Sequence, residues 1–250
     1  RRICEGSFQM AMSCAVVTTF SPQGYEVYGR HFIETFTEFW PADVPLYAFY
    51  EGEKPADASE RATWISLDAD RDRSKFMAAH KDIETGDYRK CPVRFCHKVY
   101  AMAGAPRTTG HLIWLDSDCE TVAPITDAVL RKICADPGQA GAFLARPQAR
   151  HSETGFLSFN KNNCGYEFLD ELRRFYNSGE LFILSELHDS MAFDCVRRRF
   201  ERAGHRFKNI CPDSKGLSVF SQSYLKDHIK HHKGAGRKER KYGHHMIPGE

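Results

Sequence analysis

HLIWLDSDCE, residues 111–120, is the stretch on which the reading of this chain turns. Leu112, Ile113, Trp114 and Leu115 make a short apolar run that reads as a buried strand, and the run stops at Asp116-Ser117-Asp118. Alternate side chains of an extended segment share a face, so the carboxylates of Asp116 and Asp118 are expected to converge on one divalent cation while Ser117 points away. The same three residues are also ordinary turn chemistry, and that reading stays open. A strand that ends at a polar crevice is where an open α/β sheet places its ligand.

Elements on either side supply the sheet. Cys14–Phe20 (CAVVTTF) is rich in β-branched residues and predicts a first strand, followed by a turn at Ser21-Pro22-Gln23-Gly24. From Glu26 to Phe39 the apolar residues Tyr28, Phe32, Ile33, Phe36 and Phe39 recur at helical spacing, until Trp40-Pro41 stops the pattern. Leu46–Glu51 and Thr63–Leu67 predict two further strands, so the chain opens as a parallel α/β unit. Arg89–Ala103 predicts a helix that leads into the Asp-Ser-Asp strand, with Arg94 and Lys98 four apart on one face. Gly141–Arg146 and Phe156–Asn160 predict short strands, Tyr166–Tyr176 an amphipathic helix, and Ser185–Arg202 a last helix capped by Ser185.

A length of 250 residues allows one large α/β domain, and residues 1–225 are assigned to it. With 42% hydrophobic and 27% charged residues and no apolar run near the roughly 20 needed to cross a bilayer, the chain is expected to have no membrane span. Its nine cysteines are scattered without a C-x-x-C pair, which predicts free thiols, no cysteine-built zinc site and a reducing, cytoplasmic setting; no leader pattern opens the chain. A net charge of +2 gives no global field for nucleic acid, although Lys, Arg and His concentrate between Lys226 and Lys241. Residues 226–250 are assigned to a separate basic segment closing over an anion; from Lys233 on it lacks periodicity, so it is either disordered or ordered by a ligand, and a merely solvated basic tail is the plain alternative.

Taken in order, VVTTFSPQGYEVYGRHF (16–32), WPADVPLYAFYE (40–51), RFCHKVYAM (94–102), WLDSD (114–118), ETGFLSFN (153–160), ELHDSMAFD (186–194) and HHKGAGRK (231–238) resemble the GT-A glycosyltransferase superfamily. The chain is most similar to small glycosyltransferase-like proteins of bacteriophages and bacteria, with features of the family-eight type. The resemblance implies a GT-A fold, a mixed, mostly parallel sheet flanked by helices, and sugar transfer from a nucleoside-diphosphate-sugar, a UDP-sugar being the expected donor. It also implies Mn2+ or Mg2+ held by Asp116, Asp118 and a histidine of a C-terminal H-x-x-G-x-x-K element. Here His231, Gly234 and Arg237 fall on that spacing, with arginine where the family has lysine and Lys238 next to it, so the phosphate partner stays open between Arg237 and Lys238. His228 and His232 are the alternative ligands. Imidazole with carboxylates suits Mn2+, glycine admits close backbone approach to a phosphate, and a cation neutralises a leaving diphosphate.

Other residues fall into donor and acceptor sets. Arg94 and Lys98 are candidates for the donor phosphates or sugar, with the resemblance favouring Lys98, and for either an exposed helix face is the plain alternative. Thr18, Thr19 and Glu51 sit at strand ends where a nucleotide would lie. Glu153, Thr154 and Gly155 are acceptor-side candidates, and Glu186, His188 and Asp189 open a helix with three titratable groups. Asp189, with Glu186 next, is the expected base or positioning group for the acceptor hydroxyl, against the alternative that first-turn carboxylates only serve the helix dipole. The acceptor could be a glycan, a protein, a small molecule or a DNA base. Two rivals remain: a sugar-phosphate nucleotidyltransferase, disfavoured because no Gly-rich, Arg-containing loop follows the first strand, and a non-catalytic nucleic-acid binder using the basic tail. Oligomeric state is not encoded in any of these features.

Overall fold

The structure is a computed structural model that describes residues 12–83, 86–216 and 218–233. In β1 (Cys14–Phe20) every residue is buried except Thr19, as the β-branched run requires. The chain then turns helical earlier than expected, because Ser21 Oγ accepts the Gly24 N–H at 3.0 Å and Pro22 occupies the first helical position. Helix α1 (Pro22–Gly24), a widened turn (Tyr25–Gly29) and α2 (Arg30–Phe39) follow without interruption. The next strands are β2 (Leu46–Tyr50) and β3 (Ala62–Ser66). Helix α3 (Arg71–His80) was not legible in the periodicity, since only Arg73 and Phe76 of it are buried; its start is set by Asp70, whose carboxylate accepts the N–H groups of Asp72 and Arg73.

Helix α4 (Pro92–Gly104) starts later than the predicted Arg89, because proline lacks an N–H and is tolerated only in a first turn; Tyr88–Lys90 form a separate tight turn. After β4 (His111–Leu115) come β5 (Cys119–Thr121), the short α5 (Asp127–Ile133), β6 (Gly141–Leu144) and β7 (Glu153–Asn160), which begins three residues before the predicted Phe156 and is buried along its whole length. Then follow α6 (Gly165–Asn177), α7 (Asp189–Arg202), β8 (Phe207–Asn209) and β9 (Ile229–His231). Ser185 is not the cap of α7. That place belongs to His188, whose Nδ1 accepts the Met191 N–H at 3.3 Å.

Seven strands form one sheet in the order β3-β2-β1-β4-β7-β6-β8. β3, β2, β1 and β4 are mutually parallel and β7 runs antiparallel to both its neighbours. Successive strand residues feed opposite faces: Val16 and Ile113 pack with Phe32, Ile33 and Phe36 of α2, while Val17 and Trp114 pack with Val99 and Tyr100 of α4 and with α6 and α7. Strand order reverses between β1, which continues to β2, and β4, and this switch point opens a crevice beyond the carboxyl ends of β1 and β4. Because β7 is antiparallel, its first residues enter at that same end, and the Asp116 N–H donates to Gly155 O at 2.9 Å. β5 and β9 form a separate antiparallel ribbon over the crevice, so the described part of the basic C-terminal segment is a strand of the fold. The described cysteines are all free thiols, and no described helix is long and apolar enough to cross a membrane.

Candidate functional site

Beyond the switch point lies a cleft of about 910 Å3. Thr19, Glu51, Arg94, Lys98, Asp116, Asp118, Glu153, Thr154, His188, Asp189 and His231, all singled out by sequence, line it. Thr18 is fully buried beside it and Glu186 lies behind its wall. Gly234, Arg237 and Lys238 lie outside the described residues.

Asp116 leaves β4 and Ser117-Asp118 turn the chain, closed by the Cys119 N–H donating to Asp116 O at 2.9 Å, so strand-like alternation ends at Leu115. Ser117 consequently does not point away: it lines the cleft together with the two aspartates. What brings a third group to this turn is the ribbon. Cys119 pairs directly with His231 in its register, and cross-strand partners share a face, so His231 is delivered onto the aspartates. Its Nε2 lies 3.0 Å from Asp118 Oδ1 and 3.7 Å from Asp116 Oδ2. The ring is buried, its Nδ1 has no hydrogen-bond partner among the described residues, and the space it fills exists because residue 155 is glycine: a Cβ there would meet His231 Cε1 at 2.6 Å. Gly155 therefore seats the histidine, a different use from the acceptor contact expected for it. His232 turns instead to Glu120, Nε2 to Oε2 at 2.9 Å.

The donor atoms of Asp118, Cys119 and His231 lie within 4.8 Å of one another, close enough to share a divalent cation, and Asp116 joins them through Oδ2, 3.7 Å from His231 Nε2. Burial pushes the Asp116 carboxyl up and the neighbouring Asp118 adds to this, while Lys98 and His231 oppose it; a cation between the aspartates would relieve the repulsion. Cys119 also brings its thiol within 4.8 Å of the Asp118 and His231 donor atoms, but a soft sulfur ligand does not suit Mn2+ or Mg2+. The remaining donors are carboxylate oxygen and imidazole nitrogen, the combination suited to Mn2+.

Lys98 is neither on an exposed face nor reaching outward. Its Nζ sits 2.8 Å from Asp116 Oδ1 and 2.8 Å from Asp189 Oδ2 and donates to Thr154 O at 2.9 Å. It ties Asp116 to α7 beneath the cleft, and although burial opposes its charge, the two aspartates raise its pKa above the ordinary lysine value. Burial would raise Asp189, yet Lys98 and the Thr154 hydroxyl, donating at 2.5 Å, hold it below the usual carboxylate range. Glu153 is likewise held down, against its burial, by Lys233 and His231; Lys233 and Arg146 both pair with it.

Glu51 is raised by burial, with Arg73 opposing, and Arg73 and His97 both approach its Oε2, at 3.4 and 3.5 Å. The hydroxyls of Thr18 and Thr19 are buried without partners among the described residues, in the corner where the crevice meets β1.

Glu186 is a buried hub. It accepts from His188 Nε2 at 2.8 Å and Arg150 at 3.1 Å, with His151 Nε2 at 3.6 Å. These three titratable residues are close enough to suggest a second cation site, but their protons argue otherwise. The Met191 N–H and the Arg146 guanidinium can only donate, so Nδ1 of His188 and of His151 must accept, which leaves each Nε2 carrying its proton toward Glu186. A cation would have to displace both.

Sequence reasoning missed several residues of the cleft. Trp114, whose Nε1 donates to Asp116 Oδ1 at 2.8 Å, and Lys233, two residues beyond His231, were detectable by period-two alternation. Arg146 and His151 gave no signal, because they lie in an irregular loop whose course only the fold determines.

No family model matches the chain, and no characterised protein sequence is significantly similar to it. Solved structures are similar in fold. A glycosyltransferase involved in glycosylation of the major capsid of PBCV-1 superimposes with a TM-score of 0.51 at 14% identity, over 91% of this chain and 98% of that one. Mouse xyloside xylosyltransferase 1 gives 0.48 at 11% identity over 84% and 93%, and GlyE of Streptococcus pneumoniae TIGR4 gives 0.48 at 12% over 78% and 45%. The mixed, mostly parallel seven-stranded sheet is that of the GT-A type, a likeness that rests on the first of these structures and on the topology.

Proposed function

We propose that this chain transfers a sugar from a nucleoside-diphosphate-sugar to a hydroxyl acceptor, with a divalent cation, Mn2+ or Mg2+, held by Asp116, Asp118 and His231. The observation that carries the reading is the delivery of His231, more than a hundred residues distant in sequence, onto the Asp-Ser-Asp turn at the switch point of the sheet. A cation bound there supplies charge neutralisation for the departing diphosphate. Thr19 and Glu51 mark the nucleotide end of the cleft, with Thr18 buried behind them. Gly234, Arg237 and Lys238, which follow His231 in the sequence, are proposed to meet the diphosphate. Asp189, held ionised by Lys98 and Thr154, is suited to orient the transferring sugar or acceptor hydroxyl; a carboxylate with so low a proton affinity is a poor general base. The segment after β1 is helical from Pro22 on, which gives a nucleotidyltransferase no glycine-rich phosphate loop.

The test is a thermal-shift screen of UDP-, GDP-, CMP- and TDP-sugars with and without Mn2+. At a hundredfold excess over Kd a ligand of the native state adds about 2.7 kcal/mol, or roughly 5–11 °C for a protein of this size. We expect a Mn2+-dependent shift with UDP-sugars that Asp118→Asn abolishes without lowering the ligand-free melting temperature appreciably. An equal shift in the variant refutes the cation assignment.

A further inference from the structure

Three segments meet at the Asp189 end of the cleft: the Tyr88–Lys90 turn, the loop between β6 and β7, and residues 184–188 before α7. They are bound together, Leu187 N–H to Arg89 O at 2.6 Å, Lys90 Nζ to Ser185 O at 2.5 Å, and Arg150 to Glu186 at 3.1 Å. Between them Phe95, His188 and His151 line the cleft in contact, with ring centroids 5.9 Å apart for Phe95 and His188 and 4.4 Å for His188 and His151. An arginine stands at each end of this row. Arg94 is exposed, its guanidinium 6.0 Å from the Phe95 ring, with no hydrogen bond or ion pair among the described residues. Arg150 has 64% of its side chain exposed and engages Glu186 and Ser185 through one nitrogen only.

Guanidinium groups donate and never accept, and their forked N–H groups match the oxygens of a phosphate two at a time. The cations around this end, Arg89, Lys90, Arg94, Lys98 and Arg150, outnumber the acids, Asp87, Glu186 and Asp189; Asp189 is held by Lys98, and Glu186 is buried with its oxygens already engaged by His188 and Arg150. Arg94 also lies in the first turn of α4, which contains no acid, an end where a helix favours negative charge. We infer that the acceptor is a phosphate ester that lies along Phe95, His188 and His151, its phosphate taken by the arginine at either end of the row, Arg94 or Arg150, leaving a hydroxyl toward Asp189. This rests on the glycosyltransferase reading above. Either a nucleic-acid strand or a small sugar phosphate would present that chemistry.

Binding measured without donor separates this site from the transfer reaction. A fluorescein-labelled single-stranded 12-nucleotide DNA is followed by anisotropy, and glucose 6-phosphate by calorimetry with glucose as the neutral control. At least one phosphate ester should bind, glucose should not, and Arg94→Ala with Arg150→Ala should weaken binding about tenfold or more. The paired Arg→Lys variant should recover part of this, since lysine keeps the charge without the fork, and Asp118→Asn should bind as the wild type does. DNA binding that falls steeply with salt identifies a strand as the source, and binding of glucose 6-phosphate alone identifies a small ester. Absence of binding by both probes, equal binding of glucose, or an unaffected double alanine variant overturns the inference. Intact phosphate binding with no donor-dependent thermal shift would count against sugar transfer alone.

Discussion

Gly155→Ala should disable the cation site without altering any of its ligands. The new Cβ would lie 2.6 Å from His231 Cε1, 3.0 Å from His231 Nδ1 and 3.1 Å from Phe220 Cε2, whereas ordinary contact begins near 3.4 Å. Gly155 is fixed by β7 pairing with β4, so the histidine is what gives way, by about 0.8 Å, several times the roughly 0.2 Å within which a metal–ligand distance is defined. Its Nε2, now 3.0 Å from Asp118 Oδ1, leaves the aspartates, and losing its alignment should cost about 10–100-fold in Mn2+ affinity. Overpacking itself should destabilise the fold by about 1–3 kcal/mol. The assay is Mn2+ titration by calorimetry at 20 °C, paired with urea unfolding, for wild type, Gly155→Ala, His231→Ala and the double variant. Because both single changes act on one ring, their effects on affinity should be far from additive: once His231 is alanine, the extra methyl should cost little more. Wild-type Mn2+ affinity in Gly155→Ala, or additive losses in the double variant, would refute the claim that this glycine seats the histidine.

Lys98→Met leaves buried Asp189 and half-buried Asp116 without their shared cation, and should cost about 3–5 kcal/mol in urea unfolding, part of it recovered by adding Asp189→Asn; a loss below about 1 kcal/mol would contradict the central place of that lysine. His97 supplies a pH dependence. Burial and the adjacent Arg73 push its imidazole down to about 4 from an ordinary 6.5, so its contribution to stability is complete above pH 6.5 and is lost as pH falls toward 4. A gap of 2.5 in pH at 1.36 kcal/mol per unit sets the full loss at about 3 kcal/mol, and between pH 7 and pH 4.5 the wild type should lose roughly 2 kcal/mol more than His97→Gln. Parallel pH profiles for the two proteins would show that His97 titrates as it does in the unfolded chain.

Local pattern was enough for much of the fold. β1, β2, β4 and α6 were read within a residue or so from β-branched runs and helical spacing, because each buries a continuous face and burial is what hydrophobic periodicity records. Helices α3 and α5 escaped: one is mostly polar and the other short, so neither writes a strong period into the chain. The starts of α4 and α7 were misjudged where one residue's chemistry, the missing N–H of Pro92 and the capping nitrogen of His188, outweighed the apolar pattern.

The same division runs through the site. That Asp116 and Asp118 end a buried strand was written in ten consecutive residues, and so were the carboxylates they offer. Their orientation was not, since it depends on a turn closed by a backbone hydrogen bond and on a ribbon that pairs Cys119 with His231. It took the packed fold to consume Lys98 between two carboxylates, to make room for a ring at Gly155, and to seal Glu186 behind histidines and arginines. Sequence periodicity reports which face of an element is buried, whereas partnership between charges far apart in the chain is set by strand order and register, which no local pattern encodes.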